Sequence, residues 1–312
     1  MLRKDGEFVA DLLYDEAYLG DGEYIALSAA MGNGTRLTVL DSAGNAVYTT
    51  DSVEGLYFKK GFYNGVASLI GNVDMLTWIH LPIKSDGTIL FNPTERDYSI
   101  HDEDYDFELY ENGYFSYYND KTGETVLFNS EAEQVASASG FTFLFDRFIV
   151  KDGKKYSIMD DEGNAMTPQY DKIDFLYKGK YYICSDYNRS DLYNKDGSLL
   201  FNEALSIYSI GCEMFLCSLE DRTFVVNGQD GTSFELSQNE YIESNYSDGY
   251  AIKRTAIGGQ TEVKYEIIDK KGKVKHKISV PNDDYYNIEH VIVLKEGVYS
   301  YRYKGKCNIK KW

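Results

Sequence analysis

Residues 181–210 read YYICSDYNRSDLYNKDGSLLFNEALSIYSI. Apolar and polar residues alternate in four short runs, YYICS, SDLYN, SLLFN and SIYSI, and turn residues separate the runs. Alternation of this kind is typical of half-buried strands. Asp196-Gly197 marks a hairpin, because glycine adopts a positive φ without a Cβ clash and aspartate favours turns. The stretch therefore predicts four antiparallel strands in succession.

The same turn signal recurs along the chain as an Asp or Asn shortly before a glycine, followed by an alternating stretch. The turn glycines are Gly6, Gly44, Gly87, Gly123, Gly163, Gly197, Gly231, Gly272 and Gly305. Eight steps lead from the first to the last, so the period is about 37 residues, the size of a propeller blade. A second, looser glycine marks a turn into a new strand at Gly22, Gly65, Gly179, Gly211 and Gly249. The segments Asp106–Gly123 and Asp146–Gly163 match in length, turn placement and aromatic pattern.

These repeats predict one all-β domain over residues 1–312, a β-propeller of about eight four-stranded blades. Seven blades, with one degenerate hairpin inserted, is the alternative. The N-terminal strand around Glu7–Tyr14 would join strands at Val291–Leu294 and Val298–Tyr303 and close the ring. Closure removes two sheet edges that would otherwise promote aggregation.

Composition limits the partners. The 312 residues include 29 Tyr, 16 Phe and 2 Trp, and aromatic residues favour strands. A net charge of −18 repels polyphosphate and acidic lipid, so we expect neither nucleic acid nor insertion into a membrane. Acids interrupt residues 1–20, so no export signal is predicted. Localisation stays open, with the cell surface as an option if the chain belongs to a longer exported protein.

The segment 156–183, YSIMDDEGNAMTPQYDKIDFLYKGKYYI, resembles the bacterial WG-repeat family. The residues on the family pattern are Asp160, Gly163, Pro168, Tyr170, Asp171 and Ile173. The Trp-Gly pair that names the family is absent, and Lys155-Tyr156 stands in its place. A second segment, NDKTGETVLF at 119–128, is similar to the turn of quinoprotein-like propellers, with Phe128 in place of Trp. The resemblance implies a bacterial β-repeat protein of unassigned role and supplies no catalytic residues.

The candidate sites for chemistry all have structural explanations. The acidic run at His101–Asp106 offers oxygen ligands for Ca²⁺ but lacks the spacing of a Ca²⁺ loop, so a solvated loop is preferred. Asp160–Glu162 precede a turn glycine, where turn hydrogen bonding explains them. Cys184 and Cys217 occupy equivalent positions of successive repeats and are predicted to be small apolar fillers. The four histidines, His80, His101, His276 and His290, show no metal or triad spacing. We expect no metal, no cofactor and no catalytic residue.

Most tyrosines are expected to pack between sheets. Tyrosine also presents a rigid apolar ring with a polar tip, which suits sugar stacking or protein contacts. Tyr187, Tyr285 and Tyr286 fall in predicted loops and are the candidate ligand-binding residues.

We therefore predict a monomeric, acidic, tyrosine-rich binding or scaffold module that recognises a protein or glycan through loops on one face. The alternative is a carbohydrate-active enzyme, a glycoside hydrolase or lyase with carboxylates at the axis, one of which needs a raised pKa. The sequence prefers binding and leaves catalysis open.

Overall fold

The computed structural model describes residues 14–74, 77–95, 107–257, 262–278 and 288–312. The chain is all-β, as predicted: the one helical segment in these ranges is a short 3₁₀ turn at Pro93–Glu95. The strands form eight small antiparallel sheets, and within each sheet strands adjacent in sequence are paired. The chain divides into two compact units, Met1–Pro168 and Gln169–Trp312, with four sheets in each.

The first unit contains sheets 1 to 4. Sheet 1 consists of β1 Glu16–Leu19, β2 Tyr24–Met31, β3 Gly34–Asp41 and β4 Ala46–Thr49. Sheet 2 consists of β5 Leu56–Tyr63, β6 Val66–Asp74 and β7 Thr77–Lys84. Sheet 3 consists of β8 Phe107–Leu109, β9 Phe115–Asn119, β10 Glu124–Phe128 and β11 Gln134–Ala138. Sheet 4 consists of β12 Gly140–Leu144, β13 Arg147–Asp152 and β14 Lys155–Met159.

The second unit contains sheets 5 to 8. Sheet 5 consists of β15 Lys172–Leu176, β16 Tyr181–Asp186, β17 Arg189–Asn194 and β18 Leu199–Ala204. Sheet 6 consists of β19 Ser206–Ser209, β20 Met214–Ser218, β21 Thr223–Asn227 and β22 Ser233–Leu236. Sheet 7 consists of β23 Glu240–Ser247, β24 Tyr250–Ile257, β25 Glu262–Asp269 and β26 Val274–Lys277. Sheet 8 consists of β27 Ile288–Lys295, β28 Val298–Tyr303 and β29 Lys306–Lys311.

The four strands predicted in residues 181–210 are all present, as β16 to β19. They do not form one sheet, however. Sheet 5 begins one strand earlier, at β15, and β19 opens sheet 6. The chain leaves sheet 5 at Leu205, whose amide donates a hydrogen bond of 2.7 Å to the Ser218 carbonyl of sheet 6. Alternation alone locates strands but does not show where one sheet ends and the next begins.

The turn that follows the third strand has one construction in most of the sheets. In sheet 7 the Asp269 amide donates to the Lys273 carbonyl, and the Gly272 amide donates to the Asp269 carbonyl, both at 3.0 Å. The Asp269 carboxylate accepts hydrogen bonds of 2.9 Å from the amides of Lys271 and Lys273. The same pair of backbone bonds recurs at Gly44, Gly87, Gly163 and Gly197. At Gly231 the turn is one residue longer: the Asn227 amide donates to the Thr232 carbonyl, and the Gly231 amide donates to the Asn227 carbonyl. The glycine in this turn has a positive φ, which is 75° at Gly272. Residues with a side chain rarely adopt this conformation.

Two of the predicted turn glycines belong to a different hairpin. Gly123 and Gly305 connect second and third strands. In sheet 3 the turn between third and fourth strands places Ala132, with a φ of 62°, where the other sheets have glycine. The match of Asp106–Gly123 with Asp146–Gly163 therefore pairs β8–β9 with β13–β14, which hold different positions in their sheets. Gly6 and the predicted closing strand up to residue 13 lie outside the described residues.

The turn glycines also make room for the preceding sheet. A Cβ atom added to such a glycine would contact a side chain on the fourth strand of the sheet before it. The pairs are Gly87 with Tyr48, Gly163 with Val135 at 2.7 Å, Gly231 with Leu200 at 3.5 Å, and Gly272 with Phe234 at 2.8 Å. By contrast, Gly32, Gly153 and Gly305, in turns between second and third strands, have no atom within 4 Å of an added Cβ. In sheet 4, the end that carries Gly163 is therefore packed more tightly than the end that carries Gly153.

The core consists of apolar clusters between neighbouring sheets of a unit. Phe58 and Phe62 of sheet 2 pack with Leu37 and Val39 of sheet 1. Further clusters join sheets 2 and 3, 3 and 4, 5 and 6, 6 and 7, and 7 and 8. Many tyrosines lie in these clusters, as predicted, among them Tyr110, Tyr117, Tyr181, Tyr246, Tyr265, Tyr299 and Tyr301.

The turn glycine predicts a difference between two substitutions in sheet 7. Gly272→Ala places a Cβ 2.8 Å from the Phe234 ring at a φ of 75°. Gly249→Ala, the matched control, also has a positive φ, 84°, but no atom within 4 Å. We expect the free energy of unfolding to fall by about 1 kcal/mol for the control and by about 2–4 kcal/mol for Gly272→Ala, because overpacking adds to backbone strain. Urea denaturation measures both, and equal losses would contradict the packing role.

The turn aspartate predicts a pH dependence. Burial tends to raise the Asp269 pKa, but hydrogen bonds from Lys275 and the turn amides hold it below the usual 3.8. A depressed carboxyl pKa stabilises the fold above the unfolded-state value, and this stabilisation is lost as the pH falls through the folded value. Asp269→Asn keeps the acceptor and does not titrate, so unfolding free energy should fall less steeply below about pH 5.

The control for that experiment is Asp221→Asn, which removes a carboxylate that is 79% exposed. It should leave the acid slope nearly unchanged. If Asp269→Asn and Asp221→Asn give the same slope as the unaltered chain, the turn hydrogen bonds do not contribute to acid sensitivity.

Candidate functional site

The most exposed aromatic side chain in the described ranges is Tyr187, at 93%. Tyr187 and Asn188 form the tip of the β16–β17 hairpin, between the paired residues Asp186 and Arg189. The prediction that Tyr187 lies in a loop is confirmed. Because a tyrosine of this exposure contributes nothing to a core, its ring is available to a ligand.

Hydrogen bonds hold the base of this hairpin. The Ser185 and Ser190 hydroxyl oxygens lie 2.8 Å apart across the two strands. The Asp186 carboxylate accepts a hydrogen bond of 3.1 Å from the Asp171 amide, just before β15. Arg189 donates from Nη1 to the Glu203 carbonyl at 3.1 Å, next to the end of β18. The hairpin is thus tied to both neighbouring strands of its sheet.

A buried polar network lies below the hairpin. The Tyr170 hydroxyl donates to the Asp191 carboxylate at 2.6 Å and lies 2.8 Å from the Tyr193 hydroxyl. The other Asp191 oxygen accepts the Glu203 amide at 2.7 Å. Glu203 has a φ of 56°, at an irregularity in the β17–β18 pairing. The Asp191 carboxylate therefore binds the amide of Glu203, and Arg189 binds its carbonyl. These two hydrogen bonds position the hairpin against β18.

A hollow of about 620 Å³ opens beside the tip. Its walls come from sheet 5 and sheet 6, and the lining residues are Ser185, Asp186, Tyr187, Asn188, Arg189, Ser190, Leu205 and Glu220. Leu205 is 47% exposed and lies in the connection between the two sheets. Glu220 lies in the turn between β20 and β21. The hollow thus combines an aromatic ring, an aliphatic side chain, hydroxyls, an amide, two carboxylates and one guanidinium.

Electrostatics at this site disfavour an anionic ligand. Burial, followed by the hydrogen bonds to Asp191 and Tyr193, raises the pKa of Tyr170 far above its usual 10.0. Burial also raises the pKa of Tyr193. These phenols stay neutral at physiological pH. The charges lining the hollow are Asp186, Glu220 and Arg189, an excess of one negative charge.

The remaining candidate residues from the sequence lie partly outside the described ranges and partly in a turn. Tyr285, Tyr286 and the acidic run His101–Asp106 lie outside the described residues. Asp160 accepts hydrogen bonds from the Glu162 amide at 3.1 Å and the Asn164 amide at 2.7 Å. This confirms the turn explanation for Asp160.

Metal chemistry has no candidate in the described part of the chain. Within it, no group of three or more His, Cys, Asp or Glu side chains is placed to hold a metal ion. No described helix is long and apolar enough to cross a membrane.

The cysteines are free thiols. Cys184 in β16 and Cys217 in β20 are fully buried in equivalent second strands, which confirms their role as small core residues. Burial raises the pKa of each to about 12, with the Asp191 and Asp174 charges adding to the effect at Cys184.

Sequence reasoning placed Tyr187 in a loop but did not find the residues around it. Asn188 and Arg189 could have been included, since the predicted strands YYICS and SDLYN leave a short turn between them. Leu205 and Glu220 come from other loops and show no local signal. The Asp191–Glu203 contact depends on an irregular strand pairing, which the alternation of residues does not reveal.

Comparisons with known proteins add no family. No family model matches the sequence, and no curated protein matches it. One similar solved structure is described as the crystal structure of the eukaryotic initiation factor, with 10% identity, 85% of this chain and 87% of that chain covered, and a TM-score of 0.34. Another similar solved structure is described as the AfRom2 CNH domain. It has 7% identity and a TM-score of 0.25, and the match covers 78% of this chain and 90% of that chain. At these TM-scores neither likeness bears on this chain's fold or function.

Thiol reactivity tests the placement of the cysteines. With an aromatic disulfide reagent at pH 8, the exposed Cys307 should react quickly, and Cys184 and Cys217 should react only after unfolding, because the thiolate is the reactive form. Cys307→Ser should abolish the fast phase. Rapid reaction of all thiols in the folded protein would contradict the burial of Cys184 and Cys217.

Proposed function

We propose that the chain is a non-catalytic binding module that recognises a neutral glycan at the hollow beside Tyr187. The observation that carries this proposal is the 93% exposed Tyr187 ring on the rim of a polar hollow of about 620 Å³. Sugars present apolar faces that stack on aromatic rings and hydroxyls that bond to carboxylates and amides. Asp186 and Asn188 flank the ring and supply both kinds of group.

The charge pattern supports neutral over acidic sugars. The hollow carries two carboxylates and one guanidinium, and the whole chain carries a net charge of −18. A sialic or uronic acid would meet repulsion from both. The hairpin is also held in place by Ser185, Arg189 and Asp191, so the stacking surface loses little entropy on binding.

The carbohydrate-active enzyme is the second candidate from the sequence, and carboxyl acidity argues against it. A glycosidase acid needs a raised carboxyl pKa beside an ionised partner. Where the described structure perturbs a carboxyl pKa, hydrogen bonds lower it, and this holds for Asp41, Asp86, Asp160, Asp196, Glu213, Asp230, Glu240 and Asp269. We favour binding because the feature that the hollow presents is an exposed aromatic ring.

We also propose the scaffold of this module. Eight consecutive sheets of three or four strands, paired in chain order, support a β-propeller of eight blades over seven. A bacterial WG-repeat-like origin stays part of the proposal, as does a monomeric state.

A glycan array followed by titration calorimetry tests the function. We expect the purified chain to bind neutral glycans in preference to sialylated or uronic-acid glycans. Tyr187→Ala should weaken binding by about tenfold, because ring stacking is lost. The matched control is Tyr208→Ala, which removes a 61% exposed ring from β19. Both variants should unfold at the same temperature as the unaltered chain.

Three outcomes would contradict the proposal. One is the absence of any neutral glycan among the ligands. Another is equal binding by the Tyr187→Ala variant and the unaltered chain. The third is that a protein partner binds in a Tyr187-dependent manner and no glycan does. The binding site would then be correct, but its ligand would be a protein.

A further inference from the structure

A second cleft lies between sheets 7 and 8. Their first strands, β23 and β27, run side by side and are each paired on one side only within their sheets. A cavity of about 450 Å³ opens between them. It is lined by Glu243, Ser244, Asn245, Tyr246, Ser247, His290, Val291, Ile292 and Val293. This cleft shares no residue with the hollow at Tyr187.

Both strands are irregular at the cleft. The β23–β24 pairing shifts register between Ser244 and Ser247, and the β27–β28 pairing shifts between Glu289 and Ile292. His290, within the second shift, has a φ of 52°, a conformation that a residue with a side chain seldom adopts. Bulges re-aim side chains and are frequent beside binding sites. The first strand of sheet 2, β5, shows a similar double shift, so irregular first strands recur in the fold, and here two of them border one cavity.

The cleft has an apolar floor and a polar mouth. Tyr246, Val291 and Val293 are buried, whereas Glu243 and Asn245 are exposed. Ile292 is 42% exposed and adds an aliphatic wall. An aliphatic chain with a polar head fits this arrangement, because the chain can lie on the apolar wall while the head stays at the mouth.

The carboxylate at the mouth has no partner within the described chain. Glu243 makes no hydrogen bond or ion pair with any described residue. Its neighbour Glu240 differs: its carboxylate lies 2.5 Å from Lys253 Nζ, which Glu266 also approaches at 3.3 Å. Asp248 is engaged as well, since it accepts the Glu296 amide at 2.7 Å. Among the residues that line the cleft, Glu243 is thus the carboxylate available to an external cation.

We infer that this cleft binds a lysine or arginine side chain of an extended peptide segment of a partner protein. The aliphatic stem would lie along Ile292 and the apolar floor, and the cationic head would meet Glu243 and the Asn245 side chain. Charge complementarity selects this occupant, because a chain with a net charge of −18 attracts basic segments and accelerates their association. The inference does not depend on glycan binding at Tyr187.

The test uses a fluorescein-labelled, amidated hexapeptide of alternating lysine and valine. A peptide of alternating glutamate and valine serves as the counterpart. Fluorescence anisotropy at physiological salt should show binding of the basic peptide and none of the acidic peptide. Amide chemical shifts in the full chain should change at Ser244, Asn245 and Ile292.

The decisive comparison is between two variants that each remove one negative charge. Glu243→Gln should lower the affinity for the basic peptide by about threefold to fivefold, the range expected for the loss of one partly exposed ion pair. Glu289→Gln is the matched control, because Glu289 is exposed on β27 but does not line the cleft. It should weaken binding less than twofold.

The apolar wall has its own pair of variants. Ile292→Ser should weaken binding several-fold, whereas Leu199→Ser should not, because Leu199 is a 50% exposed residue on β18. All four side chains are exposed, so the variants should keep the unfolding temperature of the unaltered chain.

Several results would overturn the inference. Equal loss of binding in Glu243→Gln and Glu289→Gln would show attraction by net charge alone. Competition by spermidine as strong as by unlabelled peptide would show a polyamine site instead. No binding, or chemical-shift changes confined to other residues, would show that the cleft is not a peptide site.

Discussion

In four of the eight sheets, a glycine in the left-handed conformation packs against the fourth strand of the preceding sheet, and this contact joins neighbouring sheets. At Gly272 the backbone φ is 75°, and an added Cβ would lie 2.8 Å from the Phe234 ring. A side chain at this position is therefore disfavoured for two reasons: the backbone φ is positive, and the Phe234 ring occupies the space that a Cβ would need. The same turn meets the same strand of the previous sheet at Gly87, Gly163 and Gly231. Burial between sheets supplies most of the stability, and this turn sets how closely the sheets approach.

Some turns between second and third strands are not packed against a neighbour in this way. Glycines between second and third strands, such as Gly153 and Gly305, meet no neighbouring atom where a Cβ would stand. Tyr187 lies at the tip of a hairpin of this kind. Loops that contribute little to packing can vary without loss of the fold, which is where binding residues concentrate. This separation explains how an acidic scaffold can present an exposed aromatic ring on a rigid base.

The all-β class and the strands of the second unit were predictable from alternation and turn glycines, because both signals are local. The limits of each sheet were not. The signal of Gly123 is the same whether a turn joins second and third strands or third and fourth. Ala132 occupies a left-handed turn position with no glycine to mark it. At the site, Tyr187 was predictable as a loop residue, but the contact of Asp191 with Glu203 depends on a pairing irregularity and on residues 12 positions apart.

The most direct test of this account is hydrogen exchange, measured by mass spectrometry at the turns that follow the third strands. The amide of Asp269 donates to Lys273, and that of Asp160 donates to Asn164, one turn in each unit. The account predicts that both amides are protected far above the level of an unfolded peptide, together with the strands that flank them. Exchange at the unfolded rate at these turns, in either unit, would contradict it.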